Sequence, residues 1–348
     1  PEPDVWTLDR AIRHSLTNSP VALIAQQRIL AARAGLEQAN SAVWPQLQFQ
    51  SSYVRTDNPM LVFGSILNQR SFEPTLDFNN VPDLDNLNVR GVLSMPLYSG
   101  GEVQAGRIAA RANTEAARNE AAAVRNLLGF EVARAYHSIL KTREFVRAAE
   151  AAVQGYERNV SLAQRRFNAG TLLKTEVLDV QVRLAQARED LVRARNSNAL
   201  AQRALRNLLG LEGAGIEVSE QLPEVRAPVE DDFSARPELE VIRERERAAE
   251  SAVRGAKAGY LPKLSAFGRL DYDYGWRTDG DGGSYTAGAL VQWDLWDGWL
   301  TRGRVSEARA NFEEVIEQQR KVRLAIDLEV QQARLNLEEA TERIRVTE

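Results

Sequence analysis

The chain has no cysteine. Disulfide scaffolds, thiolate metal sites and cysteine nucleophiles are therefore excluded, and export to an oxidising compartment is tolerated without being demonstrated. Histidine is nearly as scarce: His14 and His137 stand alone and read as surface or packing residues. No stretch of about 18 apolar residues occurs, which rules out a transmembrane helix. Any passage through a bilayer has to be made by strands. Neither charge dominates, with a net charge of −4 and a pI near 5.6. Arginines alternate with acids along the same segments, the pattern of ion-paired solvated faces, so no nucleic acid is expected as a partner. HExxH, P-loop, Gly-x-Ser-x-Gly and paired-carboxylate arrangements are missing as well. No enzyme activity, cofactor or metal is expected. Asp279-Gly280-Asp281-Gly282 resembles the start of a calcium loop, but the ligand series does not continue, and a hairpin tip facing outward is the better reading. The chain opens on Pro1-Glu2-Pro3-Asp4, which fits a processed or trimmed start.

Proline is missing from one region above all. Residues 101–209 contain none and are dense in Ala, Leu, Arg, Gln and Glu, the strongest helix formers. Phe167-Asn168-Ala169-Gly170-Thr171 interrupts them. Gly170 suits the left-handed residue that ends a helix, and Thr175-Glu176 reads as an N-cap followed by an acid favoured by the helix dipole. The region is a helical hairpin with one arm of about 65 residues and one of about 35, its tip at 167–175. At ~1.5 Å per residue the longer arm reaches roughly 100 Å. A globular core has no use for such a rod. The alanines from Ala105 to Ala123 let neighbouring helices approach closely.

What precedes the hairpin recurs after it. Thr7 caps a short helix over Leu8 to Leu16; Ser19-Pro20 then opens a helix ending before Trp44-Pro45, with Ser19 as the cap. Arg236-Pro237-Glu238 opens another ending before Leu261-Pro262. Pro20 and Pro237 stand 217 positions apart, as do Pro45 and Pro262. Strict alternation marks strands at about 46–55, 88–98, 264–274 and 285–295. Leu47, Phe49 and Tyr53 share a face in the first, Val89, Leu93 and Met95 in the second. Leu264, Leu270 and Tyr272 do so in the third, and Tyr285, Val291 and Trp293 in the fourth. The loop between the first two strands is about thirty residues long, and its Met60-Leu61-Val62-Phe63 run is either a lid or loop packing. The expected layout is a first repeat over 1–216, an irregular segment over 211–235, and a second repeat over 236–348 that stops before its own hairpin tip.

Strands of ~9–11 residues cross a bilayer when tilted. A half-exposed sheet in a soluble domain has the same pattern. Yet four strands leave two open edges, and each unpaired backbone group in lipid costs several kcal/mol. The smallest closed barrels have about eight strands, so either the sheet is soluble or several chains share one barrel. The long rods decide for a shared barrel with a polar interior, that is, a pore.

These residues resemble the outer-membrane factor family, the TolC-type channels of drug efflux and type I secretion. The resemblance rests on Leu8-Asp9-Arg10-Ala11, Asn18-Ser19-Pro20, the run from Gly91 through Pro96-Leu97-Tyr98-Ser99-Gly100-Gly101, Arg165 to Thr171, Thr175-Glu176-Val177-Leu178 and Leu208-Leu209-Gly210. It implies a mainly α fold, with α-helical hairpins forming a tunnel and four strands per chain contributing to a transmembrane β-barrel. It further implies a homotrimer in the outer membrane of a Gram-negative bacterium, extending through the periplasm, with outer-membrane lipid around the barrel. A periplasmic adaptor would dock at Phe167, Asn168, Ala169, Gly170 and Thr171, and an RND, ABC or MFS type inner-membrane pump would supply the energy. Thr175 and Glu176 would lie near a gate. The alternative is a soluble periplasmic coiled-coil adaptor or scaffold, which has no need of four alternating strands.

Overall fold

In the computed structural model, residues 5–77, 79–213, 216–221 and 233–347 are described. Prolines place the helix starts. α1 (Leu8–Asn18) begins behind Thr7, whose hydroxyl accepts from Arg10 N. α2 (Pro20–Ser41) and α6 (Pro237–Lys257) each open with proline at the first helical position, where the missing N–H costs nothing. Ser19 does not cap α2 through its side chain: its buried hydroxyl has no hydrogen-bond partner, and its carbonyl takes the Leu23 N–H instead. α4 (Glu102–Asn168) runs 67 residues without a break, followed by α5 (Lys174–Leu209) and, after the strands, α7 (Leu300–Thr347).

Four antiparallel strands form one sheet in the order β1-β2-β3-β4: β1 (Gln46–Thr56), β2 (Leu84–Tyr98), β3 (Lys263–Gly275) and β4 (Gly280–Gln292). β2 starts earlier than its alternation suggests. β4 is displaced toward the turn, which occupies Trp276 to Asp279, so Gly280 to Gly283 lie in the strand rather than in a tip. Trp293 and Leu295 fall beyond it, because β3 begins at Lys263, paired with Gln292, and offers no backbone further on. The Trp293 indole N–H donates instead to the Tyr260 carbonyl at 3.1 Å.

The connection between β1 and β2 is not the irregular loop its composition suggests. α3 (Pro59–Asn68) forms inside it, with Asn58 Oδ1 accepting from Met60 N and Leu61 N and Pro59 at the start. Asn58-Pro59 is the same kind of signal as Ser19-Pro20, so this helix was readable. The packing reading of the Met60–Phe63 run holds for Val62. Val62 and Ile66 bury against Leu84, Leu76 and Val81, while Met60 and Leu61 stay exposed.

The chain forms two compact units, one of Pro1–Leu30 and Ala117–Glu240, the other of Ala31–Ala116 and Val241–Glu348. In the first, α1 and parts of α2, α4 and α5 enclose a core including Trp6, Leu128, Val132, Tyr136, Ile139, Leu205 and Leu209. Trp6 pairs with Val218 in a short parallel bridge. Of the 211–235 segment, residues 211–213, 216–221 and 233–235 are described; residues 214–215 and 222–232 lie outside the described residues. In the second unit, helices approach closely over small residues: Ala105 is buried, a Cβ on Gly255 would meet its methyl at 3.3 Å, and Ser251 Oγ donates to the Ala105 carbonyl at 2.9 Å.

Candidate functional site

Register turns four separate alternations into one surface. Leu47 pairs with Leu93, Phe49 with Gly91, Val89 with Tyr272, Met95 with Ala266, Leu270 with Tyr285, and Leu264 with Val291. Successive side chains point to opposite faces, so the predicted apolar residues of all four strands share one side of the sheet. Tyr53, opposite Leu87, joins them. Trp293 belongs to the set by sequence but stands past the end of β4. The face is bare: Leu47 is 79% exposed, Phe49 73% and Tyr285 80%. An isolated chain leaves an uncovered apolar patch of the kind that marks an interaction or membrane surface.

The opposite face is polar and internally paired. Arg90 lies directly across from Asp271, and Arg90 Nε donates to Asp271 Oδ1 at 2.5 Å. Arg269 Nε lies 2.8 Å from the other carboxylate oxygen, as an ion pair without hydrogen-bond alignment. Asn86 and Asn88 donate to Asp273 Oδ1 at 2.6 and 3.0 Å. Thus β2 and β3 contribute a buried acidic pair, Asp271 and Asp273, screened by two arginines and two amides. The sequence shows these residues as polar positions only; the β2–β3 register makes them partners.

Chain connectivity orients the sheet. β1 leaves α2 and β2 enters α4, while β3 follows α6 and β4 leads to α7. With antiparallel strands, all four helices attach at one end of the sheet, and the 57–83 connection and the Trp276–Asp279 turn occupy the other. Among the described residues, β1 and β4 each pair along one edge only.

The tip of the α4–α5 hairpin takes shape from its hydrogen bonds. Gly170, at φ +74°, follows the end of α4; its N–H donates to Phe167 O and that of Thr171 to Arg166 O, satisfying carbonyls the helix leaves open. Phe167, Asn168, Ala169, Gly170 and Thr171 are all exposed, and so is Leu173, whose large apolar side chain no spacing argument singles out. Thr175 is not the N-cap of α5. The helix begins at Lys174 behind Leu173, because Glu176 Oε2 reaches back to accept the Leu173 N–H at 3.0 Å. Thr175 and Glu176 are exposed in the first turn. Leucine has no acceptor to reciprocate, so only the acid's half of a capping box is present.

Tyr136 is the residue of the first unit that sequence reasoning missed. Fully buried on α4, its hydroxyl lies 2.9 Å from the Trp6 carbonyl and 2.8 Å from that of Ser219, one proton serving both. Burial pushes its phenol above the ordinary range. An aromatic among alanines on an inward helical face was the available signal. Its partners, from opposite ends of the first unit's sequence, were not visible there.

No helix among the described residues is long and apolar enough to cross a membrane. Residues 11–211 and 233–348 match the family of outer membrane efflux proteins. The chain belongs to that family. The likeness sets aside a soluble adaptor and agrees with the resemblance read from the motifs. The chain is similar to the alkaline protease secretion protein AprF of Pseudomonas aeruginosa, at 30% identity over 151 residues; the alignment spans 39% of this chain and 30% of that one. Solved structures of outer membrane channels share its fold, two of them as follows. The CmeC outer membrane channel of Campylobacter jejuni has a TM-score of 0.78 at 16% identity, over 91% of this chain and 68% of that one. The outer membrane protein VceC of Vibrio cholerae has 0.69 at 19%, over 90% and 75%. A mostly helical chain carrying one four-stranded antiparallel sheet is thus a fold of outer membrane channels.

Proposed function

We propose that the chain is one subunit of a passive outer-membrane exit channel serving a tripartite efflux or type I secretion system. The observation that carries this is the register: it gathers an unbroken apolar face, backs it with a polar one, and leaves two edges open. In hydrocarbon those edges need partners. β4 of one copy beside β1 of the next continues the antiparallel order, because each chain contributes an even number of strands. Three copies give a closed wall of twelve, apolar toward lipid and polar toward the lumen. Leu47, Phe49, Tyr53, Val89, Leu93, Met95, Leu264, Leu270, Tyr272, Tyr285 and Val291 then face lipid, and Trp293 sits at the rim.

Under this reading the chain lies in the outer membrane of a Gram-negative cell, and its helical hairpin forms part of a periplasmic tunnel. The repeats at 1–216 and 236–348 each supply two strands. The exposed tip from Phe167 to Thr171 receives a periplasmic adaptor, Thr175 and Glu176 stand near the entrance, and an inner-membrane pump of the RND, ABC or MFS type drives the cargo. Membership of the efflux family and the fold shared with outer membrane channels support this. The test is to purify the full-length protein with and without detergent and to count subunits by native mass spectrometry. A detergent-dependent trimer is expected; a monodisperse monomer in plain buffer overturns the reading.

A further inference from the structure

The β1–β2 connection is seated on the polar side of the sheet. Gly275, Gly280 and Gly282 alternate with the apolar residues of β3 and β4, so a Cβ at any of them projects to the polar face. Each such Cβ would collide with the turn that ends α3: with Gln69 Oε1 at Gly275, with Ser71 Oγ at Gly280, and with the Asn68 carbonyl at Gly282. Three strand positions without side chains thus form a seat for residues 68–71.

The turn is locked into that seat. Gln69 is buried; its amide donates to Asp85 O and Asn86 Oδ1, both at 2.8 Å, and its carbonyl accepts from Thr278 Oγ1 at 2.6 Å. Arg70 adopts φ +55°, a left-handed conformation that a side-chain-bearing residue rarely takes. It is held there while its guanidinium donates to Gly283 O at 3.2 Å. The Asp85 carboxylate accepts the Trp276 and Arg277 N–H groups, each at 3.1 Å, and Asp83 bridges Arg55 and Arg277. Above the seat, Val62 and Ile66 pack on Leu84, a polar-face position of β2, leaving Met60 79% exposed on the outer side of α3.

We propose that residues 58–71 are a fixed inward constriction at the end of the barrel away from the helices, setting the largest solute that leaves the channel. This rests on the channel reading, since only in a closed barrel is the polar face the lumen. It differs from a lid in having no free hinge: the turn is bonded to β2, to β4 and to the β3–β4 turn. Three copies narrow the mouth together, and cargo passes between them as extended chains or small solutes.

The test uses the full-length protein in planar bilayers, with polyethylene glycols of graded size as probes. Replacing residues 59–83 with a short turn is expected to raise conductance about twofold or more and admit larger glycols, since pore diameter governs passage. Should that variant fail to fold, Met60→Cys decides, because the chain has no other thiol. A bulky thiol reagent added at the mouth is expected to cut the current through M60C and leave the unsubstituted channel untouched. Unchanged current through modified M60C, or unchanged exclusion in a folded deletion variant, overturns the constriction. An unsubstituted protein that forms no pore overturns the channel reading itself.

Discussion

Asp271 shows how much one carboxylate settles on the polar face. It accepts from Arg90 and faces Arg269, with its own side chain almost fully buried. Asp271→Asn removes the charge both arginines answer. The loss of a charged hydrogen bond costs about 1.5–3 kcal/mol. In a pore whose lumen is this face, the one excess positive charge left on the cluster shifts selectivity toward anions, read as a change in reversal potential across a salt gradient; an unmoved potential places Asp271 outside the conduction path. Glu176 poses a different question, because it has a local task as well as a proposed place near the entrance. Glu176→Gln keeps an acceptor for the Leu173 N–H and removes the charge, whereas Glu176→Ala removes both. Loss of that one hydrogen bond costs about 0.5–1.5 kcal/mol at the first turn of α5. Hydrogen exchange at Leu173 is expected to quicken in the alanine variant only. If conductance or leak then changes in both, the charge matters at the entrance beyond its capping role.

Among the elements, α3 is the one composition misjudges. Its surroundings are rich in Asn, Asp and Pro, so the stretch reads as loop, yet Asn58 and Pro59 nucleate ten residues of helix. Its anchorage is electrostatic at one end. Arg55 holds the Asp83 carboxyl below the ordinary carboxylate range, and Arg277 lowers it further. A depressed folded value means the bridge contributes at pH above the unfolded carboxylate value of about 4 and is lost as pH falls through the lower, folded one. Below about pH 4, therefore, the connection is expected to loosen. Trp276, stacked edge-on against Tyr53 and Tyr274, reports this through its fluorescence. Asp83→Asn is expected to give that loosened signal already at neutral pH; a pH profile identical to the unsubstituted protein's would remove Asp83 from the account.

For the whole molecule, the decisive relation is between the tip and whatever meets it. Gly170 holds φ +74° and donates its N–H to Phe167 O; proline offers neither, being fixed near −65° without a donor. Gly170→Pro is expected to distort the tip while leaving the strands, and hence the proposed detergent-stable trimer, intact. Cells carrying it in place of the native gene are expected to become sensitive to the pump's substrates. Full resistance with a normal trimer would move adaptor docking away from the tip.

Local chemistry by itself determined the long helices, the existence of four strands and the hairpin, since proline at helix starts, alternation and a long proline-free run act over neighbouring residues. It also determined which residues of each strand share its apolar face, Trp293 past the end of β4 excepted, because parity is intrinsic to the pleat. Only the tertiary structure decided which strand lies beside which, and so that Arg90 meets Asp271, that Tyr136 joins Trp6 to Ser219, and that three glycines far along the chain receive the turn after α3. Those contacts join residues separated by 83 to 214 positions. At such separations composition carries no register, and chain topology alone brings the groups within hydrogen-bonding reach.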